Sequence, residues 1–172
     1  MRTAAHRPEI LTAIVGHLRA TLRAGSVSPL LKQLIAVRIG QIRQCDPFLV
    51  EHMAQARRLG AKAEQIEAMR ALAGPADGAP SSFPSDCLGT APIEPPPDTR
   101  GTDEAVFTPA ERAALVFADH MARGSGRVPE ECFLDLAANF TASEIVEIAS
   151  TTSLCDSLCR FSNALEIDAP GS

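Results

Sequence analysis

The stretch LLKQLIAVRIGQIRQCDPFLVEHMAQARRLGA, residues 30–61, decides the fold and contains most of the candidate functional residues. Its first half has apolar residues three and four apart, which predicts a helix with Pro29 in its first turn. Asp46 is expected to cap a second helix, and Gly60 is expected to end it. Cys45 therefore falls at the junction between two helices.

The rest of the sequence also has helical periodicity. Apolar spacing and capping signals predict seven helical segments, and strand-like alternation is absent from the sequence. Two later segments begin with capping boxes, formed by Thr108 with Glu111 and by Thr141 with Glu144. We therefore predict an all-α fold, a bundle of about six to seven helices.

A proline-rich segment interrupts this pattern. Residues 74–107 contain seven prolines together with Gly, Ser and Asp, a composition that cannot sustain a helix. We expect a long surface loop within a single domain that spans residues 1–172. Cys87 lies in this loop.

Composition and charge exclude several classes of protein. The chain is 45% hydrophobic and contains no Trp and no Tyr, which favours an aliphatic helical core. Residues 1–73 carry a net charge of +6 and residues 74–172 carry −11, and the basic positions are not interleaved with aromatics as in single-strand binders. With no long apolar run and no signal-peptide pattern, we expect a bacterial cytoplasmic protein that binds neither membrane nor nucleic acid.

The chain has five cysteines, an odd number that argues against a disulfide framework in a cytoplasmic protein. No pair has CxxC spacing, so a structural metal site is not expected. The sequence contains no phosphate loop and no Gly-rich nucleotide turn, so no bound cofactor is expected either. Cys132, Cys155 and Cys159 lie on apolar helix faces and are predicted to be core residues.

Cys45 is the candidate reactive thiol, and His52 follows it seven residues later. Free amides at a helix start favour a thiolate, which would make Cys45 reactive, although the charge of Asp46 opposes this. A redox role requires the Cys45 thiol to be ionisable and reachable at the mouth of its helix.

These residues resemble the core motif of the carboxymuconolactone decarboxylase/AhpD-like family, which is Glu, eleven residues, Cys-x-x-Cys, three residues and His. FTPAERAALVFADHM (107–121) and FTASEIVEIASTTSLCDSLCRFSNALEI (140–167) are similar to later helices of longer members. The resemblance implies an AhpD-like helical bundle. It places Cys45 on the first motif cysteine and His52 on the histidine, whereas Gln33 replaces the glutamate and Phe48 replaces the second cysteine.

The resemblance implies, first, a thiol-dependent peroxidase-like oxidoreductase of antioxidant type. Cys45 would be the redox thiol, His52 its base or orienting group, and Gln33 a hydrogen-bonding substitute for the acid. Because a sulfenic acid needs a thiol to resolve it, the missing second cysteine would have to be replaced. The candidates are an external thiol reductant protein or one of three cysteines of this chain: Cys87, Cys155 and Cys159.

Two other hypotheses stay open. A lyase similar to the carboxymuconolactone decarboxylases would need Arg38 or Arg43 to face a pocket and bind an acidic lactone. A catalytically lapsed oligomeric binding protein would have Phe48 filling the old site and an unreactive Cys45. In that case His52 would be a buried structural histidine bonded to Gln33 or to a carbonyl.

The resemblance also implies partners. Family members form homo-oligomers, commonly trimers or hexamers, so the same is expected here. The expected substrate is a small-molecule peroxide or a lactone-like compound.

Overall fold

The computed structural model describes residues 7–71, 106–124 and 127–166, which within these ranges form helices and turns without strands. The seven helices are α1 (Pro8–Arg23), α2 (Pro29–Arg43), α3 (Asp46–Arg58), α4 (Ala63–Ala71), α5 (Pro109–Arg123), α6 (Glu130–Asn139) and α7 (Ala142–Ala164). The predicted all-α bundle is confirmed. Nearly all of the proline-rich segment 74–107, including Cys87, lies outside the described residues, and the single-domain boundary stays a prediction.

Helix α2 is the centre of the bundle. Ten consecutive residues, from Leu31 to Gly40, are buried. The helix packs chiefly against α3, α5 and α7, with further contacts to α1 and α4. Because neighbours surround it on all sides, α2 lacks the polar face of a surface helix, as expected for a helix inside a core.

Two charged residues of α2 are buried with their partners. Lys32 Nζ donates to the carbonyl of Thr21 at 2.9 Å and pairs with Glu147 of α7. Arg38 Nη1 donates to the carbonyl of Met69 at 2.9 Å, and its guanidinium also pairs with Asp119 of α5. An unpaired buried charge costs several kcal/mol, so these contacts determine which elements can surround α2.

The Glu147 carboxylate also fixes the turn between α1 and α2. It accepts hydrogen bonds from the backbone N–H of Ser26 at 3.0 Å and of Val27 at 3.3 Å. Burial alone would raise the pKa of Glu147, but Lys32 and these amides outweigh it and hold the pKa below its ordinary value. Gly25 in the same turn has φ +94°, and a Cβ there would overlap the carboxylate. Glycine at position 25 therefore allows both the left-handed backbone and the close approach of the Glu147 carboxylate.

The helix starts follow the sequence signals in part. Both predicted capping boxes are present, at the start of α5 and at the start of α7. Helix α3 differs, because its N-cap is Cys45 and Asp46 is already its first helical residue. Among the described helices, none combines the length and the apolar character needed to cross a lipid bilayer.

Substitution of three glycines tests the turn around Glu147. Gly25→Ala should lower the free energy of unfolding by about 2–4 kcal/mol, since left-handed strain adds to overpacking. Gly60 also has positive φ but nothing lies within 4 Å of its Cβ position, so Gly60→Ala should cost only about 1–2 kcal/mol. Gly16 lies in α1 with the same open space, so Gly16→Ala should stabilise by up to about 1 kcal/mol. Urea unfolding measures all three, and equal effects at positions 25 and 60 would contradict the role given to Glu147.

Candidate functional site

The turn between α2 and α3 places Cys45. Helix α2 ends at Arg43, and its C-cap Gln44 is left-handed with φ 51° and ψ 46°. The N–H of Cys45 then donates to the carbonyl of Gly40 at 3.0 Å, a bond typical of a helix end that turns sharply. The carbonyl of Cys45 accepts from the N–H of Leu49 at 2.9 Å and opens α3. Cys45 thus caps α3 by its backbone, in the position predicted for Asp46.

The side chain of Cys45 is directed into the bundle. Its exposure is 0%, so the expectation of a thiol reachable from solvent at the helix mouth is not met in this chain. Its thiol instead lies beside that of Cys159 on α7, close enough to raise the pKa of Cys159. Both cysteines are free and buried.

Cys155 lies one helical turn before Cys159, and it is also fully buried, as predicted for core cysteines. Burial raises the pKa of Cys159, and Cys45, Cys155 and Asp156 add to the effect. Burial and Asp156 raise the pKa of Cys155 to about 12. Both α7 thiols are therefore protonated at neutral pH.

His52 and Gln33 form the second part of the site. His52 Nδ1 and Gln33 Oε1 are 2.7 Å apart, and both side chains are buried. Burial lowers the pKa of His52 to about 4, with only a small opposing effect from Glu51. The imidazole is therefore neutral at physiological pH, so its Nδ1–H donates to the amide oxygen and its Nε2 carries the lone pair. This is the buried, hydrogen-bonded histidine that the sequence offered as an alternative to a catalytic one.

The replacement of the motif glutamate by Gln33 removes a charge that would oppose this effect of burial. A carboxylate at position 33 would stabilise an imidazolium, whereas a neutral amide stabilises it far less. Phe48 adds to the burial, since its ring centroid lies 4.0 Å from that of His52. The position of the second motif cysteine is thus occupied by an aromatic ring that covers the histidine.

The two candidate arginines have partners inside the bundle. Arg38 is 1% exposed and bonds to Asp119 and to the carbonyl of Met69. Arg43 is half-buried and contacts Asp156 and the carbonyl of Ala122. Neither guanidinium is held open for an acidic substrate by these contacts, and a pocket-lining role for Arg38 stays a prediction.

A cavity of about 240 Å³ lies between α5 and α6, apart from Cys45. Its lining consists of Pro109, Arg112, Ala113, Val116, Cys132, Asp135, Ala138 and Asn139. Burial raises the pKa of Cys132 in this lining, and Glu131 and Asp135 add to it. Within the described part of the chain, no three His, Cys, Asp or Glu side chains are grouped to hold a metal ion.

The comparisons with known proteins agree with this fold. Residues 8–83 match the model of the carboxymuconolactone decarboxylase family. One similar structure is a protein of unknown function from Agrobacterium tumefaciens, provisionally assigned to antioxidant defence as AhpD. It is 20% identical in sequence with a TM-score of 0.74, and the match covers 100% of this chain and 98% of that one. Another is the alkylhydroperoxidase AhpD core of a peroxidase-related protein from Ralstonia eutropha. It is 22% identical with a TM-score of 0.70, and the match covers 98% of this chain and 75% of that one.

A third similar structure is the debrominase Bmp8, 19% identical with a TM-score of 0.72, over 98% of this chain and 75% of that one. A variant of Bmp8 was solved in complex with 2,3,4-tribromopyrrole. Curated protein sequences gave no significant match. The fold is therefore that of AhpD-like proteins. Residues 8–83 are similar in sequence to the carboxymuconolactone decarboxylase family, and the described helices share the fold of AhpD-like proteins.

The buried His52 should make stability depend on pH. Its pKa is depressed in the folded chain, so its contribution is complete above the unfolded pKa of about 6.5 and is lost as pH falls towards 4. We expect the free energy of unfolding to fall by about 2 kcal/mol between pH 7.5 and pH 5. His52→Asn should abolish most of this fall, and His120→Asn at an exposed position should leave it unchanged. A fall of equal size in the His52 variant would refute the assignment.

Proposed function

We propose that this chain is a thiol-dependent oxidoreductase in which Cys45 and Cys159 form the redox pair. The observation that carries the proposal is that Cys45 lies beside Cys159, where Arg43 at the end of α2 contacts Asp156 and Asn163 of α7. In the family motif the second thiol is three residues after the first, and here that position is Phe48. Helix α7 supplies a second sulfur next to the first, so the pair is rebuilt from a distant part of the sequence.

The reaction with a hydroperoxide would proceed in two steps. The thiolate of Cys45 attacks the distal oxygen of ROOH, which breaks the O–O bond and leaves a sulfenic acid on Cys45 and the alcohol ROH. The thiol of Cys159 then attacks the sulfenic sulfur, which forms the disulfide and releases water. An external dithiol restores both thiols by exchange and leaves as its own disulfide.

Position supports Cys45 as the attacking sulfur. It is the N-cap residue of α3 and stands at the first cysteine position of the family motif. Cys159 lies within α7, three residues after Asp156, and its own pKa is raised. Contact with Cys45 makes Cys159 suited to resolve the sulfenic acid.

Burial should make this reaction slow. Because Cys45 is fully buried, peroxide and reductant can meet the thiols only when the junction of α2 and α3 separates locally from α7. The neutral His52 offers Nε2 as a proton acceptor but adds no positive charge that would favour a thiolate. The architecture therefore favours small substrates and low turnover.

The substrate class is a small two-electron oxidant. An alkyl or hydrogen peroxide is the first candidate, in keeping with the peroxidase-related neighbours. A halogenated aromatic ring is an alternative suggested by the debrominase, since two thiols can convert C–Br to C–H and release HBr while forming a disulfide.

A catalytically lapsed binding protein is the second candidate function. It is favoured by the complete burial of Cys45 and by the ring of Phe48 over His52. The lyase has less support, because Arg38 and Arg43 both have partners within the bundle. The exposed apolar side chains Val50, Phe133, Leu134 and Val146 are compatible with the proposed homo-oligomer, trimer or hexamer, whose formation stays a prediction.

Peroxide consumption with dithiothreitol as reductant tests the redox pair. The unmodified chain should reduce hydrogen peroxide or an organic hydroperoxide above the uncatalysed rate, and Cys45→Ser should return the rate to that background. Cys159→Ser should slow turnover, because dithiothreitol must then reduce the Cys45 sulfenic acid directly, and peroxide without dithiothreitol should leave Cys45 as a sulfenic acid or in higher oxidation states. A brominated pyrrole in place of the peroxide tests the alternative substrate class.

Cys132→Ser is the matched control, because Cys132 is also a buried thiol but belongs to the cavity between α5 and α6. Its turnover should equal that of the unmodified chain. Unchanged turnover after Cys45→Ser would eliminate the redox proposal. No turnover of either substrate class by a folded chain would favour the lapsed binding protein instead.

A further inference from the structure

A cluster of charges connects the two segments that contain the cysteines. Arg43, two residues before Cys45, pairs with Asp156, three residues before Cys159. Asp156 also accepts from Arg160 Nε at 2.8 Å. The end of α2 and the middle of α7 are therefore joined by an ion pair next to the thiol pair.

Other contacts of Arg43 strengthen this junction. Its guanidinium donates to the carbonyl of Ala122 at the end of α5. Its own carbonyl accepts from Asn163 Nδ2 at 2.8 Å, one turn further along α7 than Cys159. The contacts of α7 with α2 thus bracket Cys159, with Asp156 on one side and Asn163 on the other. No sequence motif identifies this arrangement, although Asp156 lies inside the CxxxC spacing of α7.

We propose that Asp156 is a positioning residue of the thiol pair that acts through its ion pair with Arg43, and that the balance of charge between the two sets the rate of oxidation. The proposal rests on the redox function of the pair and adds to it a residue outside the family motif. The sequence alone predicted an arginine here for substrate binding, whereas the structure assigns it to the cysteine junction.

The charges of Asp156 and Arg43 should have opposite effects on the ionisation of Cys159. The groups that act on Cys159 are Cys45 from the helix junction and Cys155 and Asp156 from its own helix, and each raises its pKa in addition to burial. Removal of the Asp156 charge should therefore favour the thiolate. Removal of the Arg43 charge should disfavour it, because the negative charge of Asp156 then lacks its half-buried partner.

The experiment measures how fast diamide converts the reduced chain to the Cys45–Cys159 disulfide. Diamide takes up the two thiol hydrogens as it oxidises the pair, so the measurement does not depend on peroxide turnover. Quenched samples are alkylated and digested, and the linked peptides are quantified by mass spectrometry. Rates are compared over a range of pH below the thiol pKa values, where they follow the thiolate fraction.

Asp156→Asn should speed disulfide formation about tenfold, which corresponds to a change of about one in thiol pKa. Arg43→Gln should slow it, and the double variant should return near the original rate. Arg160→Gln is the matched control, because Arg160 pairs with the same carboxylate but its side chain is 62% exposed. Its rate should change little.

A merely structural clamp predicts a different pattern. Both Asp156→Asn and Arg43→Gln would loosen the same junction, so both rates would change in one direction. That result would overturn the role of Asp156 while leaving the redox pair in place. Absence of the Cys45–Cys159 linkage in every folded variant, checked by circular dichroism, would instead overturn the redox function and this inference with it.

Discussion

The burial of helix α2 on all sides is the constraint on which the rest of the structure depends. Ten consecutive buried residues leave no polar face, so the charges of Lys32 and Arg38 must find partners inside the bundle. Those partners come from α7 and α5. Because the cost of an unpaired buried charge is large, the register of α5 and α7 against α2 is set by these pairs as well as by apolar packing.

This register determines what lies next to Cys45. Once Glu147 of α7 is paired with Lys32, the rest of α7 runs along α2 towards its C-terminal end. Asp156 then meets Arg43, and the following turn brings Cys159 to Cys45. The thiol pair is thus a consequence of how a long helix follows the central one. It depends on the same buried ion pairs that hold the bundle together.

The sequence predicted the fold well because its signals are local. Capping boxes, first-turn prolines and apolar spacing act within one or two helical turns, and the number of helices and most of their boundaries follow from them. The pairing of His52 with Gln33 was also accessible, because a resemblance to a known motif places both positions. The burial of Cys45 and its contact with Cys159 depend on residues more than one hundred positions apart, and no local pattern encodes such a contact.

The motif comparison alone suggested a site that had lost half of its chemistry. Phe48 cannot form a disulfide, and Gln33 cannot exchange a proton by ionising. The structure shows how these two replacements fit together, since Phe48 covers a histidine that burial keeps neutral and that Gln33 meets with a neutral amide. A second sulfur is nevertheless present, contributed by α7 instead of α3. Burial and the charge of Asp156 keep that sulfur protonated, so the pair is protected from chance oxidation and dependent on local opening.

The most direct measurement is a peptide map of the native chain after treatment with a stoichiometric amount of hydrogen peroxide. The account predicts that the chain loses two hydrogen atoms and that the peptides containing Cys45 and Cys159 become linked. Recovery of both peptides as free thiols, or linkage of Cys45 to Cys87 instead, would contradict it.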